Sequence, residues 1–329
     1  MRADLALIGF GHVARRFVEL LDERAARLEH EHGLRCRIAG TATRRQGAHY
    51  EGARCADAFE MVRRLGDSTA DLRVVVETTT LDVTNGEPAV SHVRAAFAAG
   101  CHVVTANKGP VAFAYADLRD EARAAGVRFL FEGAVMDGIP VFNLVRETMP
   151  AVSIVGFEGV VNTTTNHIIT ALEAGETFER ALARMQAEGI AEADPSLDVD
   201  GWDAAAKTAA LANVLMEAGI TPHDVRRRGL GPATADAARA ALSRGRRLKL
   251  VASAERTPQG LACAVEPREL PRDHLLATLD GGANALILRT DLLDGVAICQ
   301  LAGSLTQTAY ALLSDILALA RDPAATRAA

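Results

Sequence analysis

The sequence predicts an α/β protein in which a doubly wound parallel sheet is followed by a mixed α+β region. Three observations predict it. Up to about residue 135, short β-branched runs alternate with helix-length amphipathic stretches, the pattern of βαβ units. A glycine-rich turn joins the first strand to the first helix. After Pro140 the rhythm changes to strand-like and helical segments in no fixed alternation, which marks a second domain.

In the first region, strands are expected at 5–8, 36–40, 74–77, 103–106 and 127–131. Helices are expected between them, at 12–28 and at 90–99, the latter closed by Gly100 at the usual glycine stop. In the second region, the expected elements are a strand at 152–161, a helix at 178–187, a carboxylate-rich loop and a long helix at 202–216. Strand patterns return at 265–270 and 285–300, and an apolar helix over 308–320 closes the chain.

The composition sets limits on function. With 329 residues, 49% hydrophobic and 24% charged, the chain can bury one or two sizeable cores and is not disordered. A net charge of −6 argues against a nucleic-acid partner, which would need a concentrated basic face. The basic run Arg226 to Arg228, with Arg244, Arg246, Arg247 and Lys249 beyond it, reads as solvated helix ends and a turn. Five cysteines, an odd number without a C-x-x-C pair, suggest neither a disulfide framework nor a zinc site and fit a reducing cytoplasm. No signal peptide is recognisable, and no apolar run approaches the roughly 20 residues that cross a bilayer, so neither secretion nor a membrane partner is expected.

Gly9-Phe10-Gly11-His12-Val13-Ala14 follows an apolar strand and opens a helix, and so meets G-x-G-x-x-A in its proper context, the dinucleotide-binding fingerprint of a Rossmann domain. Gly9 permits the tight turn, and Gly11 lets the backbone approach a pyrophosphate. The helix start supplies N–H groups and a favourable dipole. At the end of the second strand, where a carboxylate would grip the ribose 2′-hydroxyl of NAD, the chain reads Gly40-Thr41-Ala42-Thr43-Arg44-Arg45. With no acid and two guanidiniums there, NADP is favoured over NAD, the alternative being that Arg44 and Arg45 are only exposed loop charges.

Two further places carry chemistry. Lys108 ends a strand and precedes Gly109-Pro110, at the carboxyl edge where open α/β sheets bind ligands. Between Gly189 and Lys207 acids crowd a loop before a helix that places Asp203 and Lys207 four residues apart. The ligand order of an EF-hand is not met, so calcium is excluded. The plain alternative is an exposed ion pair worth roughly 0.3–0.5 kcal/mol; the functional one is that acids hold a substrate ammonium beside the lysine.

Four motifs together resemble homoserine dehydrogenase over nearly the whole chain. They are the loop 9–14, Thr105-Ala106-Asn107-Lys108-Gly109-Pro110, Asn162-Thr163-Thr164-Thr165-Asn166-His167-Ile168-Ile169-Thr170, and the stretch 192–207 with its Glu-Ala-Asp-Pro and Asp-x-x-x-Lys elements. The resemblance implies a Rossmann NAD(P)-binding domain over 1–136, completed by the C-terminal helix 303–329, and a substrate and dimerisation domain of α+β type over 137–302. It also implies reduction of L-aspartate 4-semialdehyde to L-homoserine in threonine and methionine biosynthesis, by a cytoplasmic homodimer.

By the same resemblance, Lys207 is the proton-transfer lysine, Lys108 the cofactor-side lysine and Asp203 their catalytic partner. The developing alkoxide would be stabilised by the two ammonium groups while one donates a proton. The substrate would be held by Glu192, Asp198, Asp203 and Thr164. The cofactor would be held by Gly9, Phe10, Gly11, His12, Val13, Arg44, Thr79, Lys108 and Gly303. Glu132 and Val135 correspond to a monovalent-cation site for Na+ or K+.

The chain departs from the family pattern at Thr163 and His167, where glycine and tyrosine are frequent, at Asp137, where a small residue is usual, and at Gln300 to Ser304, in place of a glycine-rich segment. The short form is expected, with neither a regulatory ACT domain nor a fused aspartokinase, and feedback through such a domain is not expected. Two rival readings stay open: a Rossmann oxidoreductase acting on another small aldehyde or amino acid, and a non-catalytic NADP-binding sensor.

Overall fold

The computed structural model describes residues 1–188, 190–191, 194–322 and 324–325. It divides into two compact units, Met1–Leu144 with Ser304–Ala329, and Val145–Gly303.

The first unit is built on β1 (Arg2–Ile8), α1 (His12–His32), β2 (Arg35–Thr43), β3 (Gly47–Tyr50), β4 (Ala53–Cys55), α2 (Ala58–Gly66), β5 (Leu72–Glu77), α3 (Ala89–Ala98), β6 (His102–Thr105), α4 (Gly109–Ala124) and β7 (Phe129–Leu130). Helix α5 (Phe142–Thr148) starts at its end, and α11 (Leu305–Arg321) returns to it. The sheet order is β4-β3-β2-β1-β5-β6-β7. Strands β2, β1, β5, β6 and β7 run parallel, while β3 and β4 fold back antiparallel on the β2 side. Because β1 is central, every residue from Ala3 to Ile8 is buried. The chain turns from β1 to β2 on one side and to β5 on the other, so a crevice opens at the carboxyl ends of β1 and β5. One core joins Leu5, Leu7 and Val74 of the sheet to Phe17 of α1 and Leu312, Ile316 and Leu319 of α11.

The expected strands of this unit recur with shifted ends, and β3 and β4 are additions that the sequence reading did not include. Helix α1 continues past 28 to His32 because nothing breaks it before Gly33, whose left-handed backbone lets its own N–H reach the Glu29 carbonyl and the Leu34 N–H the Leu28 carbonyl. The expected strand 127–131 shrinks to Phe129–Leu130 at the sheet edge.

The second unit contains β8 (Ile154–Val160), α6 (Thr163–Glu173), α7 (Phe178–Ala187), α8 (Ser196–Val199), α9 (Trp202–Met216), β9 (Arg226–Arg227), α10 (Ala233–Ser243), β10 (Arg246–Thr257), β11 (Gly260–Pro271), β12 (Asn284–Thr290) and β13 (Gly295–Gln300). Its mixed sheet runs β13-β12-β8-β10-β11-β9, antiparallel except for β9 beside β11. The alanines of α9 are buried from Ala204 to Ala212, which lets that helix pack closely.

The reading of the basic run as solvated helix ends and a turn is corrected here. Arg226 and Arg227 form β9, and Arg246 to Lys249 open β10, a strand flanked by β8 and β11. Lys249 is fully buried; its ammonium donates to Asn166 Oδ1 and the Leu279 carbonyl and lies 3.9 Å from Asp280. A strand inside a sheet buries the residues it carries, and this lysine is tolerated because oxygens meet it.

Candidate functional site

In the first unit the glycine turn is fixed by its neighbours. Gly9 has φ +89°, and a Cβ there would lie 2.7 Å from the Thr78 carbonyl. Only glycine fits both the backbone and the space. The Gly9 N–H donates to the Ala42 carbonyl at the end of β2, and Thr78, just past β5, donates its N–H to the Ile8 carbonyl and its hydroxyl to the Gly9 carbonyl. A Cβ at Gly11 would meet nothing within 4 Å. Gly11 is the N-cap of α1 without a side-chain cap bond, and the first turn of α1 carries no acid. An open backbone, an uncapped helix start and no competing carboxylate are what a pyrophosphate requires, so these residues fit a dinucleotide. Phe10 and Val13 are half-buried and His12 is exposed.

Arg44 and Arg45 sit exposed in the turn between β2 and β3, beyond Ala42. No carboxylate lies among residues 40–46.

Thr79 and Lys108 stand on neighbouring loops after β5 and β6. Thr79 donates through its N–H and its hydroxyl to Oε1 of Glu77, and Asn107 Nδ2 donates to Thr79 Oγ1 at 3.2 Å. Asn107 also holds the backbone on both sides of Lys108, as its N–H donates to Thr105 Oγ1 and its Oδ1 accepts the Gly109 N–H at 2.8 Å. Lys108 is half-buried at the N-cap of α4. A helix start prefers anions, so a lysine there does not serve helix stability; it adds its charge to the positive helix end.

Glu132 is buried, and its carboxylate accepts the N–H groups of Val141, Phe142 and Asn143 at 2.6–3.0 Å, which caps the start of α5. That side chain is thus engaged as a helix cap. The following Met136 and Asp137 have φ of +51° and +58°, a conformation non-glycine residues hold only under constraint.

In the second unit the acid-rich loop, the start of α6 and α9 meet. Lys207 Nζ lies 2.9 Å from Asp203 Oδ2 and donates to the Val161 carbonyl at 2.7 Å. Both side chains are about 15% exposed, at 15% and 16%, so the exposed ion pair is excluded. Asn162 Nδ2 donates to Asp198 Oδ1 at 2.7 Å and to Asp203 Oδ2 at 2.9 Å, while its Oδ1 accepts the Thr165 N–H and caps α6. Thr164 is buried beside this cluster, its hydroxyl donating to the Ile190 carbonyl at 3.4 Å. Burial pushes the Asp198 carboxyl above the usual range and the charge of Asp203 adds to this, while the Asn162 and Thr164 hydrogen bonds oppose it.

The structure thus brings Asp198, Asp203, Lys207 and Thr164 together. Glu192 lies outside the described residues. Gly303 ends the second unit, directly before Ser304, whose hydroxyl caps α11. Thr163 Oγ1 accepts from Asn284, and the His167 ring lies over Gly281 and Gly282, so both departures from the family pattern face one loop. Sequence reasoning missed Asn162 and Glu77 as working residues. Asn162 could have been found as an amide placed just before a helix, whose cap needs only its oxygen and leaves its NH2 to bridge acids.

The sequence matches the homoserine dehydrogenase family over residues 140–317 and the homoserine dehydrogenase NAD-binding domain over residues 9–132. The chain belongs to the homoserine dehydrogenase family. It is 37% identical to an NAD(+)-dependent homoserine dehydrogenase of Pseudomonas canavaninivorans, with 95% of each protein covered. It is 32% identical to a homoserine dehydrogenase of Methanocaldococcus jannaschii, over 95% of this chain and 97% of that one. A crystal structure of a homoserine dehydrogenase from Thiobacillus denitrificans superposes with a TM-score of 0.86 at 28% identity, covering 98% of this chain and 74% of the other. Homoserine dehydrogenases are NAD(P)-dependent oxidoreductases acting on a CH–OH group, and this chain is an oxidoreductase with a nicotinamide cofactor. Among the described residues, no helix is long and apolar enough to cross a membrane.

Proposed function

We propose that the chain reduces L-aspartate 4-semialdehyde to L-homoserine with NADPH, in the cytoplasm and as a homodimer. The observation that carries this reading is the interlocked group Asn162, Asp198, Asp203 and Lys207, which a dinucleotide-binding sensor has no use for. Lys207 is the acid that protonates the carbonyl oxygen as the alcohol forms, and Asp203 holds it as an ammonium. Asp198 and Thr164, with Glu192, hold the amino-acid end of the substrate. The bound cofactor supplies the hydride, and Lys108 acts on the cofactor side. Gly9, Phe10, Gly11, His12, Val13, Thr79 and Gly303 hold the dinucleotide.

Preference for NADPH rests on Arg44 and Arg45 and on the missing carboxylate at the end of β2. The relative named NAD(+)-dependent makes this a point to measure. A monovalent cation on the carbonyls of Glu132 and Val135 is supported by the constrained backbone at Met136 and Asp137.

The deciding experiment follows NADPH and NADH absorbance with aspartate semialdehyde, with and without Na+ or K+. Turnover supports the reading; tight NADPH binding without turnover would leave the sensor.

A further inference from the structure

We infer that Glu77 is a built-in anion which couples the two cofactor-side loops and favours the oxidised, positively charged nicotinamide over the reduced one. This rests on the reading that the chain binds a nicotinamide dinucleotide. Glu77 is the last residue of β5 and has no exposed surface. Its Oε1 accepts the N–H and hydroxyl of Thr79, and its Oε2 accepts the Thr105 hydroxyl at 3.2 Å. Its main-chain carbonyl accepts the Ala106 N–H and shares the single Thr105 hydroxyl hydrogen with Oε2. The His92 Nδ1 stands back at 3.7 Å from Oε1, buried and without a hydrogen-bond partner. The Thr79 N–H and hydroxyl, from the loop after β5, and the Thr105 hydroxyl, at the end of β6, thus face one carboxylate, a setting that suits an acceptor.

The position gives this charge a use. The adenosine half of a dinucleotide belongs on the β1–β2 side, with the glycine turn and the Arg44 turn, which leaves the β5–β6 side of the switch point for the nicotinamide. Loss of a hydride, one proton with two electrons, turns that ring from neutral to a cation, while the phosphates keep their charge. A fixed negative charge beneath those loops therefore distinguishes the two redox forms, and it assists hydride donation to the substrate. Through Thr79 and Asn107 the same carboxylate also positions the backbone around Lys108.

The test measures the affinities of NADP+ and NADPH, and of NAD+ and NADH, by calorimetry on the full chain. Glu77→Gln is expected to weaken the oxidised form about five- to tenfold and the reduced form less than about twofold, while Glu77→Asp keeps the wild-type ratio. Equal losses for both forms, no loss, or the same ratio change in Glu77→Asp would each overturn the inference. Should Glu77→Gln not fold, the wild type decides, because it is expected to bind the oxidised form at least as tightly as the reduced one, and a strong preference for the reduced form sinks the idea. A wild type that binds neither dinucleotide refutes the cofactor reading itself, a separate result.

Discussion

The candidate site of the first unit is built mainly from main chain, through a glycine turn, an uncapped helix start and two strand-end loops. The candidate site of the second unit is built from polar and charged side chains that hold one another, since Asn162 bridges two acids and one of those acids holds Lys207. Backbone recognition depends on shape and on a dipole spread over several peptide groups, so single substitutions outside the glycines should act modestly. Recognition by an interlocked cluster depends on each member, because removing one leaves buried charges unmatched.

The sharpest way to break this comparison is Lys207→Ala. Turnover with aspartate semialdehyde should fall about a thousandfold, the scale of a lost general acid, while the calorimetric NADPH affinity stays near wild type. A variant with close to normal kcat would remove Lys207 from the chemistry. Next comes Asn162→Ala, expected to lower kcat/KM for the semialdehyde by roughly ten- to a hundredfold without moving the NADPH affinity. It should also move the acid limb of the pH profile. Asn162 stabilises the charged form of Asp198, so its loss raises that carboxyl further and activity should fail at a higher pH than in the wild type. An unmoved limb would mean that Asp198 does not titrate in the working range.

Arg44→Ala combined with Arg45→Ala should act on the first unit alone. NADPH KM should rise about tenfold with NADH little changed, as expected for exposed guanidiniums meeting a phosphate. Equal effects on both cofactors would reduce the two arginines to loop charges. The smallest effect on activity should come from Lys249→Met, and it should appear in stability. Burial brings the Lys249 ammonium down from 10.5 to about 8. Between those values the unfolded chain binds more protons than the folded one, so stability rises with pH across that window. In Lys249→Met that rise, on the order of 1–3 kcal/mol, should be missing when denaturant midpoints are compared across the window.

The same contrast explains what the sequence disclosed. The glycine turn was legible because a local backbone requirement writes glycines into neighbouring positions, and the end of β1, the start of α1 and the end of β5 followed from the alternation around it. Helix α9 and α7 were legible at both ends because their stops carry capping or turn signals. Lys207 and Asp203 were legible through helical spacing. Asn162 and Glu77 were not, since Asp198 and Asp203 come to Asn162, and Thr105 to Glu77, from elements far along the chain, and no local pattern marks a side chain for its distant neighbours. Lys249 was misread for the same reason, because a charged run looks like surface until its strand is placed between two others.

Helix α11 closes the hydrophobic core of a unit whose other elements all lie before residue 149. Phe17 and Leu5 pack with Leu312 and Ile316 only after the whole second unit has been made. On the ribosome, the core beneath the nucleotide-binding sheet therefore cannot be completed until α11 has been made.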